Sequence, residues 1–498
     1  MNILSVELQS FSDAMSSVSA IALYATVIIG ALLAVLWRAE IGIYVLTFML
    51  PLQTTRYHLH PFPLGGKIVD ILLLCSIAGA LLRPPPTLGR RPAIIRFLAW
   101  MGLFYLVSLF RGAFFLGTSM PLWFNDERLV DYKNYIVMPL LALVTMMIIR
   151  SRRQIAMILI LSCATLAAVD YSYLKISAGR DFSHYAEETR DAGPLGYAGE
   201  NGLASYLVEI TACLIPFLAL RRFTAGKTLL LGLLAASITC ILFSYSREAY
   251  LAFAGSICFI ALVRIRWLII PILAAALSWQ TILPVAVQER MSMSYSSTGD
   301  GFTPQLDASA QERIILWTDA MQLIRENPII GTGFMTYARL SRVGTYRDTH
   351  NFYLKILVET GVLGLLLFLI QLGLFFREGW HLFRTSKDPF CSLLGIGFAS
   401  LLLSAVIVNF FGDRWLYIQV DSNLWILLGC VVCASSATDA EQPLLETIPV
   451  PLKVNTISFA HFRQKRAWIP PVLAPSGSPI DERSSVLSSV SHDRARSL

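Results

Sequence analysis

Charge is what this sequence has least of. Only 15% of its 498 residues are Asp, Glu, Lys or Arg, against about a quarter in soluble globular domains, and the mean hydropathy is +0.61. That shortage excludes a water-soluble globular chain. The eight cysteines (75, 163, 213, 240, 258, 391, 430 and 433) all fall within or at the ends of apolar runs. There a thiol packs as a small hydrophobe, so no disulfide framework is implied. Cys430 and Cys433 form one CxxC with no second pair near it in sequence, which favours core packing over metal or redox chemistry. The opening stretch MNILSVELQSFSDAMSS has no Lys or Arg and lacks the basic n-region of a secretory signal, so the first span is expected to be retained. There is no Walker loop, dinucleotide fingerprint or zincin helix, and no repeat of the kind found in many transporters. Nothing calls for a soluble cofactor.

What is present is a succession of apolar runs. Runs of about 17–25 residues are long enough to cross a hydrocarbon layer about 30 Å thick at 1.5 Å per residue. They predict spans over 18–37, 41–53, 68–82, 97–116, 134–149, 154–172, 201–220, 228–245, 249–263, 267–285, 351–376, 391–411 and 423–437. The fold class that follows is all-α, a polytopic transmembrane helical bundle of about 12–14 helices.

If RPPPTLGRRPAIIR at 83–96 is cytoplasmic, alternation puts RSRR at 150–153, RRFTAGK at 221–227, RIR at 264–266 and REGWHLFRTSK at 377–387 on the same side. That is the asymmetry of the positive-inside rule. The net charge of +7 is then a topology signal, not a nucleic-acid footprint. Four units result: helices one to ten over 1–285, a long outer loop with an amphipathic helix over 286–350, helices eleven to thirteen over 351–437, and a tail over 438–498. The tail, rich in Ser, Pro and Arg, cannot bury enough apolar surface to fold alone and is expected to be disordered and cytoplasmic.

Polar chemistry gathers on the outer side. In the long loop Ser309 and Glu312 fit an S-x-x-E capping box, apolar residues at 314, 317, 321 and 324 follow in helical spacing, and Pro328 ends the helix. Arg313 and Trp317, four residues apart, share a face. A guanidinium beside an indole suits a sugar-phosphate contact; the bland alternative is an exposed helix charge. Asp348 or Thr349 is expected to cap the next membrane helix, placing His350 in its first turn, where the helix N-terminus disfavours imidazolium and leaves a neutral base. Glu359 falls on the opposite face and is not expected to partner His350. Gly361 and Gly364 read as places where another helix approaches.

FSYSREAY at 243–250 makes a tight outer turn that holds Arg247 among the hydroxyls of Ser244, Tyr245, Ser246 and Tyr250. A guanidinium fork matches phosphate oxygens, with interfacial snorkelling as the alternative. Asn201 opens the span that follows a polar connection containing Arg180, His184 and Arg190, which the sequence does not rank. Glu209 and Arg111 are costly in a membrane unless paired, and pairing with each other is open to them. His58 and His60 form an HLH pair for which no metal site is expected.

The stretch ERIILWTDAMQLIRENPIIGTGFMTY, followed by DTHNFYLKILVETGVLGLLLFLI, resembles the signature region of the O-antigen ligase and O-antigen (surface polysaccharide) polymerase family of bacterial inner-membrane proteins. FSYSREAYLA is similar to that family's Ser-Arg segment, and GENGLASYL to its Asn-x-Leu-Ala segment, although Glu200 stands where Pro is more usual. The first half of the chain matches only in hydropathy. The resemblance implies a GT-C-like fold and a membrane glycosyltransferase with its active site on the periplasmic face of the inner membrane. Such an enzyme transfers glycan from undecaprenyl diphosphate to a sugar hydroxyl in surface polysaccharide (O-antigen, exopolysaccharide or lipopolysaccharide) biosynthesis.

By that resemblance the catalytic residues are His350, Arg313 and Arg247. The two arginines would bind the diphosphate and His350 would act on the attacking hydroxyl, with Trp317, Asn201 and Tyr245 adding to substrate binding. The implied partners are the lipid-linked donor, a glycan or lipid A core acceptor, and the bilayer, with no nucleic acid. An inverting reaction without metal or other cofactor is expected. The motifs do not separate ligase from polymerase. The alternative is a multi-pass transporter or flippase of a lipid-linked or polar solute, which would need its polar groups near the midplane.

Overall fold

The computed structural model describes residues 3–84, 92–123, 125–220, 225–293, 295–296, 305–306, 308–343 and 348–439. All but the first two residues of the expected tail over 438–498 therefore lie outside the described residues. Among the described residues nine helices are long and apolar enough to cross a membrane, and regular structure other than helix amounts to a two-residue antiparallel ladder, Tyr295–Ser296 with Gln305–Leu306. The protein is an all-α polytopic membrane protein. Helices are what a lipid environment permits, since each satisfies its own backbone polar groups.

The principal helices are α1 (Ile3–Leu36), α2 (Glu40–Met49), α3 (Ile68–Leu82), α4 (Pro92–Phe115), α5 (Glu127–Ile148), α6 (Arg152–Ser177), α7 (Gly199–Leu214), α8 (Ala225–Phe243), α9 (Arg247–Val263), α10 (Ala308–Glu326), α11 (Phe352–Thr385), α12 (Pro389–Phe411) and α13 (Ile418–Asp439). The bundle is organised about α13 and α7. Other parts of the protein cover 94% of the apolar window of α13 and 89% of that over Gly193–Ala219, but only 22% of that of α8. Around them α12 packs on α11, α7 and α9, and α5 packs on α13.

The span expected over 267–285 is broken. Ile269–Leu277, Trp279–Ile282 and Val285–Ser292 are separate helices of 9, 4 and 8 residues, each too short to cross about 30 Å alone. Ser278 leaves the helical region at φ −119° and ψ 23°, and Pro284 has no N–H with which to continue a helix. In the long loop α10 starts at Ala308, so Ser309 lies inside the helix instead of capping it.

A second break positions the site. Gly361, inside α11, has φ +66°, and the NPIIGTGF turn after α10 runs through the gap. Val362 N–H donates to the Pro328 carbonyl at 2.9 Å, Thr332 N–H to Val358 at 2.9 Å and Gly333 N–H to Glu359 at 2.7 Å. Backbone groups freed by the break are thus satisfied by the loop. A Cβ on Gly361 would lie 2.2 Å from the Ile329 carbonyl oxygen, and one on Gly331 would lie 2.4 Å from the Glu359 carbonyl carbon. The neighbour that Gly361 admits is a loop, where the sequence suggests a helix. The buried Glu359 carboxylate belongs to the same clasp, accepting the N–H groups of Met335 at 3.0 Å and Tyr337 at 3.3 Å. Arg111 reaches Asn327 Oδ1 at 3.3 Å, at the start of that loop, while Glu209 lies beside Asp421. The two costly charges do not pair with each other.

Candidate active site

The turn between α8 and α9 bends at Tyr245, whose φ is +52°, and its buried ring meets Tyr185 edge-on at 5.2 Å. This turn delivers Arg247 to the start of α9. Arg290, from the short helix Val285–Ser292, donates to the Tyr245 carbonyl at 3.3 Å and lies over the Tyr185 ring at 4.8 Å. Burial lowers the Arg290 guanidinium from its usual range, Tyr185 opposes that, and the nearby charges of Arg247 and Arg190 add to it. Like charges are crowded here. Arg190 is held by Asn201 Oδ1 at 2.7 Å and by Glu187 at 2.7 Å.

The next residue, Glu248, is buried. It lies 3.6 Å from Arg414 and within electrostatic reach of Arg313 and Arg190, so one carboxylate faces three guanidinium groups brought by α10, by the α12–α13 connection and by the segment before α7. Arg414 is fixed from behind, because its own N–H and that of Trp415 both donate to Asn409 Oδ1, at 2.9 and 2.8 Å.

His350 stands beside this cluster. The cap of α11 is Asn351, which accepts the Leu354 N–H at 3.0 Å, so His350 lies outside the helix, at φ +49°, and not in its first turn. Asp348, proposed as a cap, turns back instead: its Oδ1 accepts the His350 N–H at 2.8 Å and lies 3.1 Å from Nδ1. Burial holds the imidazole below its usual range; Asp348 opposes this, and Arg313 and Arg414 reinforce it. The cause of the shift is therefore burial more than a helix terminus. Trp317 donates its indole N–H to the Thr349 carbonyl at 3.0 Å, tying α10 to the residue before His350. Asp348 also lines a cavity of about 1000 Å³ with Lys355, Asp413 and Tyr417, and Lys355 and Asp413 form a buried ion pair at its wall.

Residues 232–369, which carry Arg247, Arg313, Trp317 and His350, match the family model described as O-antigen ligase. Through that stretch the chain is similar to the O-antigen ligase family. No curated protein matches the chain. The family supports a membrane glycosyltransferase-like role in polysaccharide assembly. Of the residues picked from sequence, Arg313 and His350 stand within electrostatic reach of each other, and Arg247 joins them through Glu248, Arg190 and Arg290. Asn201, Tyr245 and Trp317 hold Arg190, Arg290 and the His350 segment respectively. Asn201, Arg190 and Arg414 lie outside the O-antigen ligase stretch and reach the site only through the fold. Sequence reasoning missed Arg414, Arg290 and Glu248. The signal for Arg414 is the GDRW turn between two apolar runs, on the side that the charge pattern of the sequence reads as outer, where positive-inside bias disfavours an idle arginine just as it does for Arg247.

Proposed function

We propose that this protein transfers a glycan from a polyprenyl diphosphate carrier, undecaprenyl diphosphate in bacteria, to a sugar hydroxyl on the outer face of the inner membrane. The observation that carries the reading is the gathering of Arg190, Arg313 and Arg414 around the carboxylate of Glu248, with Arg247 joined to it through Arg290 and His350 beside Arg313 and Arg414. Guanidinium groups fixed close together suit a diphosphate, and their charge-assisted bonds match its oxygens. The acceptor oxygen attacks the anomeric carbon as the bond to the diphosphate oxygen breaks. The lipid diphosphate leaves with the bonding electrons, stabilised by Arg247 and Arg313, in the manner of other preorganised electrostatic sites. His350 takes the hydroxyl proton on Nε2. Inversion at the anomeric carbon follows from a single displacement, and no metal enters the reading. The segment 286–350 is read as the periplasmic part that brings Arg313 and His350 together.

The test uses purified full-length protein in detergent with lipid-diphosphate-linked repeat units, alone or with lipid A core. Wild type is compared with Arg247→Ala, Arg313→Ala and His350→Ala after folding is checked by thermal melting. A ladder from donor alone makes the enzyme a polymerase, and a shifted lipid A band makes it a ligase. Retained anomeric configuration would overturn the single displacement. Donor moved across vesicles without transfer would favour the transporter.

A further inference from the structure

A second cavity, of about 470 Å³, opens beside the first outer loop and is lined by Arg56, Tyr57, His60, Lys67, Tyr197 and Tyr417 among others. It meets the larger cavity at Asp131, Met335, Lys355, Asp413 and Tyr417, which line both. Asp348, whose carboxylate contacts His350, also lines the larger one. Its size is that of ordinary ligand sites.

The charges on its lining do not cancel. Asp70 holds Lys133 at 3.0 Å, Asp413 holds Lys355, and Asp131 is taken by Arg339 at 2.5 Å. Arg56 and Lys67 are left without a carboxylate among the described residues: the electrostatic neighbours of Arg56 are Tyr197 and Tyr57, its Nε is buried with no hydrogen-bond partner, and Lys67 forms no ion pair. A half-buried guanidinium is expensive unless something anionic visits it. The rings around it are prearranged. Gln53 donates to the Tyr57 hydroxyl at 2.5 Å and accepts the Tyr197 N–H at 3.1 Å, and Tyr197 meets Tyr417 edge-on at 5.7 Å.

We infer that this cavity is the acceptor subsite and that its acceptor is an acidic glycan, whose carboxylate or phosphate group is bound by Arg56 and Lys67 while its sugar rings lie on the tyrosines. The inference rests on the transfer reading, since it is the line of the cavities toward His350 that makes the occupant an acceptor. An anionic lipid headgroup offers the same charge. The tyrosines and the continuation toward His350 favour a glycan over it.

Binding, which needs no transfer, tests this separately from the reaction. Purified full-length protein in detergent is titrated calorimetrically with trigalacturonate and with the neutral trigalactoside, for wild type, Arg56→Gln, Arg56→Lys, Lys67→Gln and Arg313→Gln. The acidic trimer is expected to bind at least about tenfold more tightly than the neutral one. Arg56→Gln and Lys67→Gln should each remove about tenfold of that preference, Arg56→Lys should restore part of it, and Arg313→Gln should leave it intact. Lys67 is exposed, so its variant reports even if Arg56→Gln fails to fold. Inorganic phosphate should compete with the acidic trimer. Equal affinity for the two trimers, no binding of either, or a preference that survives the Lys67 and Arg56 changes overturns the inference. So does displacement of the acidic trimer by phosphatidylglycerol, but not phosphatidylcholine, in nanodiscs, which would assign the cavity to a lipid headgroup.

Discussion

Asp348 engages His350 at two points, through the backbone N–H at 2.8 Å and through Nδ1 at 3.1 Å from the same carboxylate oxygen. A neutral imidazole facing a carboxylate carries its proton on Nδ1, an assignment that follows from the hydrogen-bond network. Nε2 then carries the lone pair that can accept a proton. His350→Ala should lower transfer by about 10²–10⁴-fold, the usual contribution of a general base. Asp348→Asn keeps the shape but can donate where Asp348 accepts, so it should lower kcat with little change in KM. Steady-state kinetics on folded variants check both, and a change confined to KM would remove tautomer control from Asp348.

The pH dependence has a definite sign. Burial, Arg313 and Arg414 lower the His350 pKa, so the neutral base persists to lower pH than an ordinary imidazole of about 6.5. Activity should be flat through neutrality and should fall as pH drops through that lowered value. Asp348 is the largest influence in the opposite direction, so Asp348→Asn should move the acid limb further down. Profiles of kcat/KM against pH decide the matter: a limb that stays put or moves up would assign it to another group.

Glu248 provides a thermodynamic test of the phosphate site. Removing one partner of a buried ion pair costs about 3–5 kcal/mol, and Arg414, 3.6 Å away, would lose its carboxylate neighbour. Glu248→Ala should therefore lower the melting temperature in detergent. Pyrophosphate can supply the missing negative charge, and a ligand that binds the folded state raises its stability. Added pyrophosphate should raise the melting temperature of the variant more than that of wild type. Equal shifts would argue that the arginine cluster does not take a diphosphate.

The legible part of this protein was what length and local chemistry determine. Apolar runs long enough for a bilayer located most of the spans, and Arg247 and its like stood out because, on the side the charge pattern reads as outer, positive-inside bias leaves them unexplained. Tertiary partners were not legible. Nothing local to Glu359 indicates that its carboxylate closes on Met335 and Tyr337, and nothing near Arg414 indicates Glu248, which is far away in sequence. The N-cap of α11 went to Asn351 and not to Asp348 or Thr349 because three neighbouring residues can each cap a helix, and only the folded backbone decides which oxygen reaches Leu354 N–H. The break over 267–285 was hidden in the same way, since an apolar run scores as one span however Ser278 and Pro284 divide it.

The glycine in the middle of α11 gives the sharpest structural prediction. Gly361 has φ +66°, and a Cβ there would lie 2.2 Å from the Ile329 carbonyl oxygen, a backbone atom that cannot move without releasing the loop. The strained backbone alone costs roughly 1–3 kcal/mol, and the contact adds to it. Gly373 lies in the same helix with nothing within 4 Å of its Cβ position, so Gly373→Ala should be neutral or stabilising by about 0.5–1 kcal/mol. Melting temperatures in detergent should fall for Gly361→Ala and hold or rise for Gly373→Ala. Transfer should fall only in the first, because the loop that crosses the break links α10, which carries Arg313, to the segment leading to His350. If Gly361→Ala melted like wild type yet lost transfer, the loop would be positioning the site without stabilising the fold, and the clasp at Glu359 would have to bear the strain.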